Sequence, residues 1–299
     1  MNSYRLLLCN ESPHNGRVYF VLGNCRRWIP SGTHMDSYGF KWEDIETVSA
    51  EYIDLFELSA PLALPGIQYT PDLLVGAIRD HIGSQLSGSG IEFGAASNPF
   101  PCSIHAIIEY ADFFDNFSED SPYFNNNTYT NEFVRCKYQT GIEDMSGIAD
   151  QSKDFLILCH VIEHVRNPLL AIEKAWTKLK PNGNLVLLVP HKELTFDSAR
   201  DLTTLDHLIL DYKRPLRERD FLHFVEFYEK AFVSANPYKR AVTEFNNKYS
   251  DIHYHTWNED SFLEMVNYFS KNIKPWSSIV YYPHSVEKSA NEFYFILQK

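Results

Sequence analysis

The alternation of apolar and polar residues changes character near residue 66. Before that point the apolar runs are short: "RVYFVL" (17–22) alternates, a Gly-Asn turn follows, and a second run ends at Pro30. Alternation on both sides of such a turn predicts a β-hairpin. Prolines at 61 and 65 close the segment. We therefore predict a small β-rich accessory module over residues 1–66 and a separate domain over residues 67–299.

From Tyr69 onward, predicted strands alternate with predicted helices. The segment 70–86 begins with Thr-Pro-Asp and continues with helical spacing of its apolar residues. A second helix is predicted over 167–180, with Pro168 in its first turn. Five strands are predicted, at 91–94, 106–114, 133–140, 153–161 and 184–190. Strands separated by helices predict a parallel, doubly wound sheet.

The end of the chain carries two more apolar runs, "SSIVYYP" (277–283) and "EFYFILQK" (292–299). Their short separation predicts an antiparallel hairpin at the sheet edge. The predicted fold is therefore α/β: a doubly wound, Rossmann-like, seven-stranded sheet with a terminal antiparallel hairpin, plus the small N-terminal β-containing module. Insertions after strand ends cover the crevice where ligands bind in such folds. We therefore predict that residues 190–275 form a substrate lid.

Composition and charge narrow the possible partners. The 299 residues are 44% hydrophobic and 15% aromatic, which is ample for a packed core, and the net charge is −12. A surface of this sign repels phosphate backbones, so we expect no nucleic-acid partner. The five cysteines are scattered without a CxxC pair, which favours reduced thiols over a zinc knuckle or disulfides. No apolar run approaches membrane-spanning length, and we expect a cytoplasmic protein without a membrane span.

The stretch "IEFGAASNPFP" (91–101) is the first candidate ligand-binding turn. It runs from a strand into Gly94, where a glycine lets a ligand approach the backbone. Asp112 follows eighteen residues later at the end of the next strand, where an acid can bind ribose hydroxyls. Alone, the glycine fits an ordinary turn and the aspartate a solvated cap.

Further motifs occur in order along the chain: "GIEDM" (141–145), "CHVIEH" (159–164) and "LKPNGNLVLLVP" (179–190). Together with "EFGAASNP" and "YAD" they resemble the class I S-adenosylmethionine-dependent methyltransferases over about residues 67–299. The resemblance implies S-adenosyl-L-methionine as cofactor. The loop departs from the family in having one glycine where many relatives have two or three, and Gly141 stands where relatives often place an adenine-contacting aspartate. The implied cofactor-binding residues are Glu92, Phe93, Gly94, Ala95, Asp112, Phe113, Ile142, Glu143 and His160.

A narrower resemblance begins at residue 189. The segments 189–212 and "DIHYHTW" (251–257) are similar to a methyltransferase subgroup associated with bacterial polysaccharide synthesis. His191 stands where that subgroup has an acid. The N-terminal "VYFVLGNCRRWIP" (18–30) resembles a module of bacterial surface and glycan-related proteins. These resemblances imply O-methylation of a sugar or glycan hydroxyl.

Such a reaction needs a base near neutral pH and polar groups that orient the hydroxyl. The segments after the fifth strand supply both. His253 and His255 alternate as on a strand and with an acid could bind a metal, but no full ligand set is evident, so no metal is predicted. Asp197 and Arg200 suit a structural ion pair as well as a substrate role. We predict catalytic roles for His191, Asp197, His207 and His255, and substrate contacts for Arg200, His253 and Trp257.

Two alternatives stay open at this point. The first is a catalytically inactive, methyltransferase-like binding or scaffold protein, which the single-glycine loop and His191 favour. The second is a methyltransferase that acts on a small non-sugar acceptor. A nicotinamide dehydrogenase on a similar sheet is disfavoured by the terminal hairpin and by the 179–190 segment.

Overall fold

The computed structural model describes residues 4–114, 132–247, 251–288 and 290–299. Its Cα positions divide the chain into two compact units, Met1–Gln139 and Thr140–Lys299. The predicted boundary between an accessory module (1–66) and a methyltransferase domain (67–299) is a different division of the chain and stays a prediction.

The first unit begins with the strands β1 (Arg5–Cys9), β2 (Arg17–Leu22), β3 (Cys25–Ile29), β4 (Ile45–Thr47) and β5 (Glu57–Ser59). They form a five-stranded sheet in the order β4-β1-β2-β3-β5. The predicted hairpin is confirmed: β2 and β3 pair antiparallel, with Val18 opposite Ile29 and Leu22 opposite Cys25. Gly23 has φ +61° in the connecting turn, a conformation that glycine adopts without strain. Helices α1 (Gly32–Ser37) and α2 (Ala50–Ile53) follow the hairpin.

Arg27 anchors this sheet to the chain that follows it. Its buried guanidinium donates hydrogen bonds to the carbonyl oxygens of Ala60 (2.7 Å), Cys102 (2.7 Å) and Ser103 (2.9 Å). A buried arginine is costly unless its donors are paired, and three carbonyls pair them here. Arg27, the second arginine of the "RRWIP" motif, therefore has a structural role.

The rest of the first unit contains α3 (Val75–Gly83) and the strands β6 (Gly88–Phe93), β7 (Ala106–Asp112) and β8 (Tyr138–Gln139). Both neighbouring pairs, β6 with β7 and β7 with β8, are parallel as predicted. Helix α3 begins five residues after the predicted start, because a turn from Thr70 to Leu73 precedes it. The predicted strand at 133–140 shrinks to two residues, since the Val134 amide donates to the carbonyl of Ala96 instead of a neighbouring strand.

The second unit contains β9 (Lys153–Cys159), α4 (Pro168–Lys178), β10 (Leu179–Pro190), β11 (Ser278–Tyr282) and β12 (Glu292–Gln298). Strand β10 pairs parallel with β9 and antiparallel with β12, and β12 pairs antiparallel with β11. The seven strands of the large sheet follow the order β11-β12-β10-β9-β6-β7-β8. The Rossmann-like, seven-stranded fold with its terminal antiparallel hairpin is thus confirmed.

The segment predicted as a lid is mainly helical. Phe224 and Phe227 are buried with Ile252 and Tyr254, so the aromatic stripe of 221–232 contributes to a core. The predicted strand at His253 and His255 was wrong: residues 251–256 have no regular structure, and only an isolated bridge joins His191 to Trp257. The helices are α5 (Leu205–Lys213), α6 (Arg217–Glu226), α7 (Pro237–Phe245) and α8 (Glu259–Asn272), with a π-helical turn at Phe227–Ala231 and 3-10 turns at Lys192–Leu194 and Phe196–Ala199.

Across the described ranges, every helix is too short or too polar to cross a lipid bilayer.

Candidate active site

The loop after β6 contains two residues with left-handed backbone conformation. Gly94 has φ +69° and Ala96 has φ +45°. The Gly94 amide donates to the carbonyl of Ala111 (3.0 Å), and the Asn98 amide donates to that of Ala95 (2.8 Å). Left-handed geometry at a residue other than glycine costs free energy and is often found at ligand sites. Phe93 and Ala95 are buried beside this turn.

Glu92 holds the far end of the same loop. Both of its carboxyl oxygens lie within reach of the Phe100 amide, at 3.0 and 3.1 Å. The side chain is buried, and this burial raises the pKa of Glu92 to about 8. At neutral pH the group is therefore mostly protonated, and its observed contact positions the loop.

Asp112 ends β7, the strand that pairs with β6. Phe93 lies opposite Ala111, so Gly94 and Asp112 stand at the carboxyl ends of two neighbouring parallel strands. Burial raises the pKa of Asp112, and its Oδ1 accepts a weak hydrogen bond from the Phe114 amide (3.4 Å). Phe113 is exposed beside it. A glycine turn and an acceptor in this arrangement fit the methionine and ribose parts of S-adenosylmethionine.

In the second unit, the loop at 141–145, which carries the predicted cofactor residues Ile142 and Glu143, is attached to the start of a helix. Ile142 is buried, and Oε1 of Glu143 accepts a hydrogen bond from the Asn167 amide (3.0 Å). Burial raises the pKa of Glu143. Asn167 in turn caps α4 by accepting from the Leu170 amide (3.1 Å). The loop at 141–145 is thus held in place by the first turn of α4.

His160 directly follows β9 and is the most constrained of the predicted cofactor residues. Its φ is +53°, a strained value for histidine. Nε2 lies 2.8 Å from Oε2 of Glu292, and Nδ1 lies 3.6 Å from Oε1 of Glu163. Both glutamates are buried, whereas about a third of the His160 side chain (32%) is exposed. An accessible imidazole between two buried carboxylates is arranged to accept and hold a proton.

Histidines and carboxylates continue to alternate beyond Glu163. Nε2 of His164 lies 3.8 Å from Oε1 of Glu163, and its Nδ1 lies 2.8 Å from Asp251. Burial lowers the pKa of His164, but the hydrogen bond with Asp251 and the charge of Glu163 outweigh burial and raise it. Within the described ranges, neither oxygen of Glu163 has a hydrogen-bond partner. Such an unsatisfied buried carboxylate is unusual and is typical of functional sites.

His253 and Asp197, two predicted site residues, are in direct contact. Nδ1 of His253 lies 2.5 Å from Oδ2 of Asp197, and the other oxygen of Asp197 accepts from Arg200 (2.9 Å). Burial opposes ionisation of Asp197, but His253 and Arg200 together lower its pKa. Arg200 also donates to the carbonyls of His253 (2.9 Å) and Tyr254 (3.2 Å). The structural ion pair left open by the sequence is therefore present, while a substrate contact for Arg200 stays a prediction.

The His253 ring meets the His164 ring edge-on, with centroids 4.7 Å apart. This ring contact joins the His160–His164 residues to the His253–Asp197 pair. Together they form one continuous series of polar side chains: Glu292, His160, Glu163, His164, His253 and Asp197.

His191 and Trp257 lie beside each other and are joined by an isolated bridge. Nε2 of His191 is 3.1 Å from Oε2 of Glu259, at the start of α8. Trp257 is fully buried and packs edge-on against Phe262. Their predicted catalytic and substrate roles stay predictions.

His207 and His255 belong to a second histidine cluster. Nε2 of His207 lies 3.2 Å from Nε2 of His223 and 2.9 Å from Oδ2 of Asp211. Burial and the neighbouring His207 lower the pKa of His223 to about 4, and burial lowers that of His255 well below its usual value. Neither Asp211 nor His223 was selected from the sequence. The four-residue spacing from His207 to Asp211, which places both residues on one face of α5, is the signal that could have suggested the first of them.

A left-handed glycine after one strand of a Rossmann-like sheet and an aspartate after the neighbouring strand are typical of sites that bind a nucleotide-type cofactor. A family model described as a methyltransferase domain matches residues 112–187. The match supports an S-adenosylmethionine-dependent methyltransferase, and it implies S-adenosylmethionine as cofactor. No curated protein shows significant sequence similarity to the chain.

Several solved methyltransferase structures are similar to the chain at low sequence identity. The CurJ carbon methyltransferase shares 12% identity over 75% of this chain and 52% of its own, with a TM-score of 0.39. An SAM-dependent methyltransferase from Methanosarcina mazei shares 17% over 73% of this chain and 95% of its own, with a TM-score of 0.40. The trans-methyltransferase CalH, in complex with SAH, shares 13% over 70% and 50%, with a TM-score of 0.34. The chain thus spans about half the length of CurJ and CalH.

Proposed function

We propose that the protein transfers a methyl group from S-adenosylmethionine to a hydroxyl group of a sugar or glycan, with His160 as the general base. One observation carries this proposal: His160, at the carboxyl end of β9, is strained and lies between the buried carboxylates of Glu163 and Glu292. Ligands of Rossmann-like sheets bind beyond the carboxyl ends of the strands, which is where this imidazole lies.

The loop at Gly94 and the carboxylate of Asp112 would hold the cofactor in the first unit, and Ile142 and Glu143 are the corresponding candidates in the second. When bound, S-adenosylmethionine supplies an electrophilic methyl group. The chain itself must then position the acceptor and remove its proton. A sugar hydroxyl is a weak acid, so a base within hydrogen-bond reach is needed as its oxygen becomes the nucleophile.

Glu292 gives His160 the support that this role requires. The Glu292 carboxylate, 2.8 Å from Nε2, orients the imidazole and favours a hydrogen on Nε2. The same carboxylate stabilises the imidazolium that forms, as an aspartate does for the histidine of serine hydrolases. Glu163, 3.6 Å from Nδ1, adds a second negative charge beside the transferred proton. Histidine suits this task because its ordinary pKa lies near neutrality.

Phe196 supports a sugar as the acceptor. The residue is 45% exposed, and its ring is tilted by 38° against the His253 ring, with centroids 4.6 Å apart. An exposed aromatic face beside polar groups offers the apolar surface and the hydrogen bonds that a carbohydrate uses. The resemblance of 189–212 and 251–257 to a polysaccharide-associated subgroup supports the same acceptor.

Two measurements on the full chain test this proposal. Titration calorimetry with S-adenosylhomocysteine should show a dissociation constant of about 1–100 μM, a typical magnitude for a cofactor site. Methyl transfer from labelled S-adenosylmethionine should then label a member of a panel of nucleotide sugars, oligosaccharides and small phenols. The absence of any S-adenosylhomocysteine binding would refute the proposal that the protein is a methyltransferase. Binding together with labelling of phenols alone would replace the sugar with a small non-sugar acceptor.

A further inference from the structure

We propose that His207, Asp211, His223 and His255 bind a single zinc ion. Helix α5 supplies His207 and Asp211, helix α6 supplies His223, and the irregular segment before α8 supplies His255. One ligand atom from each residue lies within 4.8 Å of the others. Three imidazole nitrogens and a carboxylate oxygen form a ligand set that zinc accepts.

The spacing of the donor atoms matches the metal's geometry. Zinc bonds of about 2.0–2.1 Å in a tetrahedral arrangement place neighbouring donor atoms about 3.3 Å apart. Nε2 of His207 lies 3.2 Å from Nε2 of His223 and 2.9 Å from Oδ2 of Asp211. The two shortest contacts of the cluster are therefore close to the edges of such a tetrahedron.

His255 provides an independent reason to infer a metal ion. Its Nε2 lies 3.2 Å from the carbonyl oxygen of Arg166, and because a carbonyl only accepts, Nε2 carries the hydrogen. Nδ1 then presents a lone pair, and it has no hydrogen-bond partner within the described ranges although the residue is fully buried. A buried acceptor without a partner is costly, and a metal ion would satisfy it.

The surrounding residues hold the ligands as a metal site requires. Arg219 donates to Oδ1 of Asp211 (2.8 Å), which leaves Oδ2 directed at His207. Together with the carbonyl behind His255, this contact resembles the outer hydrogen bonds that orient metal ligands in proteins. A histidine–histidine hydrogen bond with an adjoining His207–Asp211 ion pair would explain the two short distances, but it would leave Nδ1 of His255 unsatisfied. A bound zinc ion accounts for both short distances and also for the unpartnered Nδ1 of His255.

Four protein ligands would close the coordination sphere, as in structural zinc sites. The ion would then cross-link α5, α6 and the segment around His255, all of which lie within the predicted lid. Its role would be to fix the lid, separately from proton transfer at His160. The site rests on these contacts alone and does not depend on the proposed reaction.

Metal analysis of the full chain, purified with a histidine-free tag and without chelator, tests the site. We expect about one equivalent of zinc per wild-type chain, measured after dialysis by inductively coupled plasma mass spectrometry. Cobalt exchanged into the site should give the visible absorption of a tetrahedral ion. Asp211→Asn should weaken zinc binding at least tenfold in a chelator competition. Asp206→Asn, an exposed residue of the same helix, should leave it unchanged.

Wild-type protein that takes up neither zinc nor tetrahedral cobalt overturns the proposal, and so does equal affinity in Asp211→Asn and Asp206→Asn. Circular dichroism shows whether Asp211→Asn is folded. If it is not, Arg219→Gln keeps all four ligands but removes the support of Asp211, and should lower the affinity about tenfold. Unchanged zinc affinity in a folded Arg219→Gln would then count against the site. None of these measurements uses S-adenosylmethionine, so they can fail or succeed independently of the proposed function.

Discussion

Nε2 of His160 lies 2.8 Å from Oε2 of Glu292, although 132 residues separate them in the chain. The contact joins the residue that follows β9 to the first residue of β12. Strand β12 reaches this position because it runs antiparallel to β10, which itself lies beside β9. The terminal hairpin therefore does more than complete the sheet, since it delivers the carboxylate that supports the proposed base.

We predict that His160→Asn lowers kcat for methyl transfer by about 10²–10⁴-fold, the usual contribution of a general base. Asparagine is the best replacement because it tolerates the left-handed backbone at this position. S-adenosylhomocysteine affinity should stay within about twofold of the wild type, and His105→Asn, an exposed substitution, should change neither quantity. A parallel loss of S-adenosylhomocysteine binding would instead place His160 in the cofactor site, as the family resemblance implies.

Asp112→Asn should weaken S-adenosylhomocysteine binding about 10–100-fold, because hydrogen bonds from ribose hydroxyls to a charged acceptor contribute about 1.5–3 kcal/mol. Titration calorimetry measures this directly, with the exposed Asp36→Asn as the matched control. Equal affinity in the two variants would remove Asp112 from the cofactor site.

Glu92 should make stability depend on pH. Its folded pKa of about 8 exceeds the ordinary 4.5, so the folded chain keeps a proton that the unfolded chain releases between these values. Stability from this group is full below about pH 4.5 and is lost as pH rises towards 8. Between pH 5 and 8 the wild type should lose about 3 kcal/mol relative to Glu92→Gln in urea unfolding. Glu51→Gln, at an exposed site, should follow the wild type, and parallel curves for Glu92→Gln would contradict the raised pKa.

Asp197→Asn should lower the free energy of unfolding by about 1.5–3 kcal/mol, because it removes the charged acceptor of one Arg200 hydrogen bond while Glu226 still pairs with the guanidinium (3.2 Å). Asp201→Asn is a close control, since Asp201 pairs with Lys230 on the surface and its substitution should leave the free energy of unfolding close to that of the wild type. The lowered pKa of Asp197 also predicts that this stabilisation is present above about pH 4 and is lost as pH falls through the folded value. Equal stability of the two variants would show that the Asp197–Arg200 pair contributes little.

Two glycines of α3 should respond to alanine in opposite ways. A Cβ at Gly83 would lie 1.9 Å from the carbonyl oxygen of Pro101, so Gly83→Ala must displace backbone and should destabilise by about 2–4 kcal/mol. A Cβ at Gly76 would meet no atom within 4 Å, so Gly76→Ala should stabilise the same helix by about 0.4–1 kcal/mol. Thermal unfolding of both variants measures the difference, and similar melting temperatures would refute the close packing at Pro101.

The fold followed from sequence wherever a local pattern determines local structure. Residues 155–158 are uniformly apolar and form the fully buried centre of β9, and the Gly-Asn turn closes the hairpin of β2 and β3. The apolar pattern gave a wrong strand prediction where backbone groups form hydrogen bonds outside a β-ladder. The Val134 amide pairs with the loop carbonyl of Ala96, and so most of an apolar run is not a strand.

The candidate site was less predictable because its partners are distant in sequence. The chemistry of histidine marks these residues as candidates in the sequence. Only the folded chain brings Glu292 to His160 or His223 to His207. His223 also lies within an aromatic stripe that packs into a core, which hid its polar role from sequence patterns. Residue chemistry indicates which groups are candidates, whereas pairing depends on how the strands and helices are ordered in space.

Arg166 and Asn167 give the histidine cluster and the loop at 141–145 a shared support. The Asn167 amide binds Glu143, its side-chain amide donates to the carbonyl of Asp211 (3.0 Å), and the carbonyl of Arg166 accepts from His255. A shift of this dipeptide would disturb both places at once. For the two proposed ligands, thermodynamic linkage requires reciprocity: any factor by which zinc changes the affinity for S-adenosylmethionine is also the factor by which the cofactor changes the affinity for zinc. Metal supply would thereby act as an input to cofactor binding.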